Sequence, residues 1–191
     1  MQDFALPRRA MIDSQLRPEG VIDRGVLDAM ASVPREQFVP DEARAFAYFD
    51  RAIPVEDGAM LPPTALARLL DAAAPLAGER ALVVGAAPDY ATAVLLAIGL
   101  LASGQIAGAA HDAPAANSLD LIVIEGAVAE LPQPLVDALK PAGRLVTAMV
   151  DQGVTRLSIG RKVANVVGIT HFADSEVAPL AAFARPVAFT F

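Results

Sequence analysis

The chain of 191 residues is 54% hydrophobic, carries a net charge of −7 and has no cysteine. Its length and apolar content support one substantial core, read as a single domain over 1–191 with an N-terminal helical extension (1–75) and a contracted α/β core (76–191). The acidic balance argues against a nucleic-acid partner, which needs a basic face, and the lack of cysteine excludes disulfides, thiolate catalysis and cysteine-based zinc sites.

The first residues place an acid early and lead into no apolar run, so no signal peptide is expected and a cytoplasmic location follows. The N-terminal segment alternates acids and bases as a solvated helical face does, with Asp13, Gln15 and Arg17 as candidates for anchoring it. A helix over Arg24–Ser32 is capped by Asp23, carries Val26, Leu27 and Met30 on one face, and is ended by Pro34. Asp41 is expected to cap a second short helix through about Ala47. Ile53-Pro54-Val55 is extended, Asp57-Gly58 turns, and Pro63 opens a helix bearing Leu66, Leu69 and Leu70 that Pro75 and Gly78 end.

Arg80–Val84 reads as a buried parallel strand, Gly85 as the turn after it, and Tyr90 to about Leu101 as a helix. The stretch Ala91–Ala110 is uncharged, yet it is mostly alanine and glycine and broken by Gly99, Ser103-Gly104-Gln105 and Gly108. It therefore reads as a buried helix followed by a glycine-rich connection, not as a membrane span. A strand follows at Leu119–Ile124, then a short helix at Pro134–Leu139, a turn at Lys140–Gly143 and a strand at Arg144–Val150. Thr155–Arg161 and Val163–Ile169 suggest a hairpin, and Val187–Phe191 a last strand. Alternation in the middle with strands at the end predicts a parallel sheet with an antiparallel finish. His111 and His171 are isolated, so no metal site is expected.

Strand, glycine and helix are how a Rossmann-like sheet offers backbone N–H groups and a helix N-terminus to a cofactor. Gly85, Ala86, Ala87 and Tyr90 are the candidate cofactor contacts, with Glu125 just past the end of the next core strand. Each has a plainer alternative: Gly85 as a chain reversal, Tyr90 as a packing residue, Glu125 as a solvated residue or a cap. Asp120, at the start of that strand, reads as structural.

Three blocks resemble the protein-L-isoaspartate O-methyltransferase family. They are Met11–Asp23 running on to Val33-Pro34-Arg35-Glu36-Gln37-Phe38-Val39-Pro40, then Ala47-Tyr48-Phe49-Asp50 with Ala52–Val55, then Leu119–Ala127 with Leu139–Val146. The resemblance implies a class I methyltransferase fold that binds S-adenosylmethionine and methylates the side-chain carboxylate of isoaspartate in damaged proteins. Such chemistry needs few acids or bases, because the substrate is already an anion and the sulfonium already a leaving group; alignment and exclusion of water suffice.

The departures from the family pattern fall on the binding sites. In the glycine turn, Ala87 and Asp89 stand where the family has glycine. Gly99–Ala110 contains no acid for the ribose hydroxyls, and Asp112 is the nearest later one. The chain between Gly85 and Asp120 is short by at least one strand–helix unit. The loop that would cradle an isoaspartyl group reads Gly58-Ala59-Met60-Leu61-Pro62-Pro63-Thr64, with Thr64 its one hydroxyl and so the candidate substrate contact. Two expectations follow: an active carboxyl methyltransferase with a contracted site, or a non-catalytic relative that has lost S-adenosylmethionine and acts as a binding or scaffold protein. The departures favour the second. Deleting edge strands bares apolar surface, which predicts a homodimer built around 91–118.

Overall fold

The computed structural model describes residues 3–108 and 114–183. His111, Asp112 and the strand expected at Val187–Phe191 lie outside them. Helix α1 (Ala5–Met11) runs into a π-helical turn at Ile12–Leu16. Helix α2 (Arg24–Ser32) starts where expected, the Asp23 carboxylate accepting from the Val26 N–H at 2.9 Å. After it come 3₁₀ turns at Arg35–Gln37 and Asp41–Phe46. The second corrects an expectation: Pro40, not Asp41, holds the N-cap position, and no side chain caps the turn.

Strands β1 (Ile53–Val55) and β2 (Gly58–Met60) form a small antiparallel hairpin. Helix α3 (Pro63–Ala73) opens on Pro63, whose missing N–H costs nothing in the first turn. The Thr64 N–H behind it donates to Asp50 at 3.0 Å.

The main sheet then builds from β3 (Arg80–Gly85), helix α4 (Asp89–Ile98), β4 (Leu101–Ile106), β5 (Leu119–Val128), helix α5 (Gln133–Ala138), β6 (Leu139–Asp151), β7 (Val154–Val163) and β8 (Val166–Asp174). Its order is β4-β3-β5-β6-β7-β8, parallel through β6 and antiparallel after it. This is the α/β Rossmann-like sheet with an antiparallel finish that the sequence indicates. Alternate residues of β3 feed two cores. Ala81 and Val83 face α2, α3 and α4, whereas Leu82 and Val84 face α5 and Leu180.

Three details differ from expectation. Helix α4 ends at Ile98, where Gly99 turns left-handed with φ 102°. The segment expected as a glycine-rich connection is strand β4, paired with β3 along its length. Gly104 is a packing glycine there: a Cβ on it would lie 2.9 Å from the Thr92 hydroxyl and 3.2 Å from Pro88, so its absence lets α4 settle on the strand. Finally, β5 runs on past Ile124, so Glu125 lies within the strand and not beyond its end. Lys140–Gly143 is a turn inside a strand, since Leu119 pairs with Leu139 and Leu121 already with Arg144. Among the described residues no helix is long and apolar enough to cross a membrane.

Candidate functional site

Gly85 and Glu125 are register partners on β3 and β5. The Gly85 backbone is not left-handed. Glycine is required for another reason: a Cβ there would fall 2.8 Å from the Glu125 Cβ and 3.1 Å from its Oε2. The Glu125 side chain thus lies over the glycine. Ala86 and Ala87 form the bend into α4, with the hairpin tip pressed on the first; a Cβ on Gly58 would meet the Ala86 Cβ at 3.0 Å. The hairpin tip thus covers part of this corner, and Ala86 and Ala87 stay half-buried.

Beneath it lies a cluster of buried polar groups. Glu125 is 1% exposed, and neither carboxyl oxygen has a hydrogen-bond partner within the protein. This corrects its reading as a solvated residue or cap. Burial pushes its carboxyl up to about 8, partly opposed by the Arg35 guanidinium and reinforced by the charge of Asp89. At neutral pH it is chiefly the uncharged acid, the form a dry site tolerates.

Arg35 is 0% exposed. Its Nε donates to the Ala47 carbonyl at 2.8 Å and one terminal nitrogen to the Leu61 carbonyl at 2.6 Å, while Nη1 has no partner. The guanidinium sits 4.9 Å from the centroid of the Tyr90 ring. Tyr90, second residue of α4, is fully buried with its hydroxyl unpartnered and pushed up to about 12 by burial. Thr64 is buried in the first turn of α3, its hydroxyl likewise unpartnered.

A cavity of about 530 Å³ opens beside this cluster, between the β1–β2 hairpin, the start of α3, the end of β5 and the segment 175–181. That last segment is tied to the sheet: the Ala127 N–H donates to the Ala178 carbonyl and the Leu180 N–H to the Ala127 carbonyl, each at 2.9 Å. Gly126 makes room for it, since a Cβ there would fall 2.2 Å from Leu180. Of the sequence-predicted site residues only Glu125 lines the cavity; Gly85, Ala86, Ala87, Tyr90 and Thr64 do not. Asp50, Asp57 and Glu176 line it too, with Arg51 as the one lining cation. Met60, Leu61, Val177 and Leu180 supply apolar wall. At the end of the outer strand and just past it, Gln105, Ile106 and Ala107 stand where a ribose-binding acid would be expected, and the described residues 99–108 contain no acid.

The N-terminal anchor is only partly as expected. Gln15 donates to the Tyr48 carbonyl at 2.9 Å. Asp13 instead pairs locally with Arg9 and Arg17, each at 3.5 Å, and all are exposed, so neither Asp13 nor Arg17 grips the body. Arg8 does so, through the Tyr48 hydroxyl at 2.7 Å and Glu36 at 3.0 Å. Asp120 is structural as read, holding Lys140 at 2.8 Å and the Arg80 N–H at 2.9 Å. His171 is an exposed strand residue whose Nδ1 meets the Ser158 hydroxyl at 2.7 Å. No group of potential metal ligands occurs among the described residues.

The comparisons agree on one family. A family model for protein-L-isoaspartate(D-aspartate) O-methyltransferase matches residues 7–113. Among similar proteins, a protein-L-isoaspartate O-methyltransferase of Methylorubrum extorquens (strain PA1) is 36% identical, the match covering 75% of this chain and 74% of the relative. One of Roseiflexus sp. (strain RS-1) is 37% identical over 75% of this chain and 78% of its own. A crystal structure from Plasmodium falciparum, described as a protein-L-isoaspartate O-methyltransferase in complex with S-adenosyl-L-homocysteine, superposes with a TM-score of 0.75 at 17% identity, covering 92% of this chain and 98% of that one. With the sheet order and the matched N-terminal half, these place the chain in the protein-L-isoaspartate O-methyltransferase family of S-adenosylmethionine-dependent methyltransferases.

Proposed function

We propose that this chain is a member of the family that does not transfer methyl groups and that uses the cavity at the end of β5 as a binding site, as a homodimer. The observation that carries this reading is the Glu125 carboxyl folded over Gly85, where a cofactor would need to approach the backbone. The hairpin tip crowds the Ala86 side chain, and Leu180 lies directly over Gly126. These residues do not fit an adenosyl group. Nor does the cavity suit the family's substrate: an isoaspartyl carboxylate would enter a space where the acidic side chains of Asp50, Asp57 and Glu176 face Arg51 alone. Like charges in a partly desolvated space disfavour such an anion.

Calorimetric titration with S-adenosylmethionine and with S-adenosylhomocysteine tests the reading, alongside methyl transfer to an isoaspartyl peptide. No heat with millimolar ligand and no transfer are expected. Micromolar binding of either ligand, or turnover of the peptide, overturns it.

A further inference from the structure

We infer that the cavity at the end of β5 is a site for an alkylammonium ion, with the Glu125 carboxylate as its buried counter-ion and the apolar wall receiving the alkyl chain. The inference rests on reading this cavity as a binding site and adds the chemistry of what it binds. Glu125 is a carboxyl group 1% exposed, lining a cavity of about 530 Å³, with both oxygens lacking a partner in the protein. A buried acceptor pair without a partner is costly, and a donor from outside the chain, met by a turn of the side chain toward the cavity, would relieve that cost. Around the mouth, exposed Asp50, Asp57 and Glu176 set a negative field that draws in a cation and repels an anion. Met60, Leu61, Val177 and Leu180 line the same cavity and match a short methylene chain. Arg51 does not neutralise the floor, being an exposed residue stacked over the Phe46 ring at 4.5 Å.

The charged groups around Glu125 decide the pH behaviour. Arg35, from the first 3₁₀ turn, favours its ionised form, and Asp89, from α4, opposes it, while Asp50, Asp57, Glu176 and Arg51 are the other ionisable side chains lining the cavity. An entering ammonium supplies a second positive neighbour and hydrogen bonds to both oxygens, so Glu125 releases its proton to solvent as the pair forms. With a free-site value of about 8, the ionised fraction rises about tenfold between pH 7 and pH 9, and apparent affinity rises with it. An alkylammonium ion stays charged over that range.

The probe is pentylammonium chloride, titrated into the whole chain at pH 7 and pH 9 and followed by calorimetry and backbone amide NMR. Saturable binding about tenfold tighter at the higher pH is expected, with amide shifts in the β1–β2 hairpin and in 175–181. Glu125→Gln keeps the shape of the neutral acid and should weaken binding at least tenfold while abolishing its pH dependence. Asp57→Asn and Glu176→Gln, both on exposed loops, should each weaken it about twofold to threefold and lessen its salt dependence. An acetylated lysine tripeptide amide that binds more tightly than pentylammonium assigns the site to a protein side chain; weaker binding assigns it to free amines. Absence of saturable binding up to about 10 mM, or equal binding by wild type and Glu125→Gln, overturns the inference. Amine binding by a chain that also transfers methyl groups would overturn the proposed loss of catalysis and leave this site standing.

Discussion

At Glu125 a single side chain links burial, pH and function. Its carboxyl is pushed up to about 8, first by desolvation, from an ordinary value near 4.5. The folded state therefore holds a proton that the unfolded chain has released over the window between those values. Stability from this group is fully present below the lower value, falls as pH rises through the window and levels off above about 8, by at most about 1.4 kcal/mol per pH unit. Denaturant unfolding at several pH values should show that decline in the wild type and a much flatter profile in Glu125→Gln; parallel profiles would refute the assignment. Arg35 makes a second residue-scale case. Arg35→Met removes the donors to the buried Ala47 and Leu61 carbonyls and should cost about 3 kcal/mol or more. A loss under about 1 kcal/mol would mean that those carbonyls are satisfied in another way. Only one of the two stands out in the sequence: Glu125 is a candidate cofactor contact, with a solvated residue or a cap as its alternative. An arginine in Val33-Pro34-Arg35-Glu36 carries no local sign of burial; the Ala47 and Leu61 carbonyls and the Tyr90 ring that enclose it are brought there by the fold. The one available signal for Arg35 was its place in a long block resembling the family.

Elements are joined by a few buried cations that the sequence leaves anonymous. Arg144, at the start of the ladder between β5 and β6, donates from Nε to the Ala73 carbonyl and from Nη2 to the Ala74 carbonyl at 2.9 Å, and pairs with Glu79 at 2.7 Å. It thereby caps the C-terminus of α3 and fastens it to the sheet. The hydrogen bonds from Arg144 are the main reason the Glu79 carboxyl lies below its usual range, so their stabilisation is present near neutrality and fades as pH falls through that lowered value. Arg144→Lys cannot reproduce the forked contacts and should cost about 1–3 kcal/mol at pH 7, with a smaller difference once the pH is low enough to protonate Glu79. Equal stability of the two proteins at pH 7 would show the clamp to be dispensable. Helices α2 and α3 were legible because their signals are local: an Asp cap at position 23 and a Pro at the first helical position. Strand β4 was not, because Ser103 and Gly104 are turn formers by propensity. Their strand conformation is imposed by pairing with Leu82 and Val83 and by the approach of α4.

At the scale of the whole molecule β4 is an outer strand of the sheet, and among the described residues no strand pairs with its free side. Leu101 is 63% exposed and Ile106 38%, with Leu96 of α4 52% exposed beside them. A strand edge of this kind carries a row of unused N–H and C=O groups and is a template for pairing with another chain. Natural edges of this length are commonly guarded by charge, yet Ala91–Ala110 has none. Absence of charge is what a two-fold interface tolerates best, because symmetry sets each residue of one copy near its equivalent in the other. Antiparallel pairing of β4 with β4 about a two-fold axis near Ser103-Gly104 would satisfy both edges, cover the exposed leucines and leave the cavity at the end of β5 open. Light scattering at micromolar concentration should give a dimer. Leu101→Lys, which plants a charge at the exposed start of the pairing edge, beside Arg80 and away from the cavity, should give a folded monomer with unchanged pentylammonium binding. A wild-type monomer, or a dimer that survives Leu101→Lys, would place the contact elsewhere and leave the bare edge without a role.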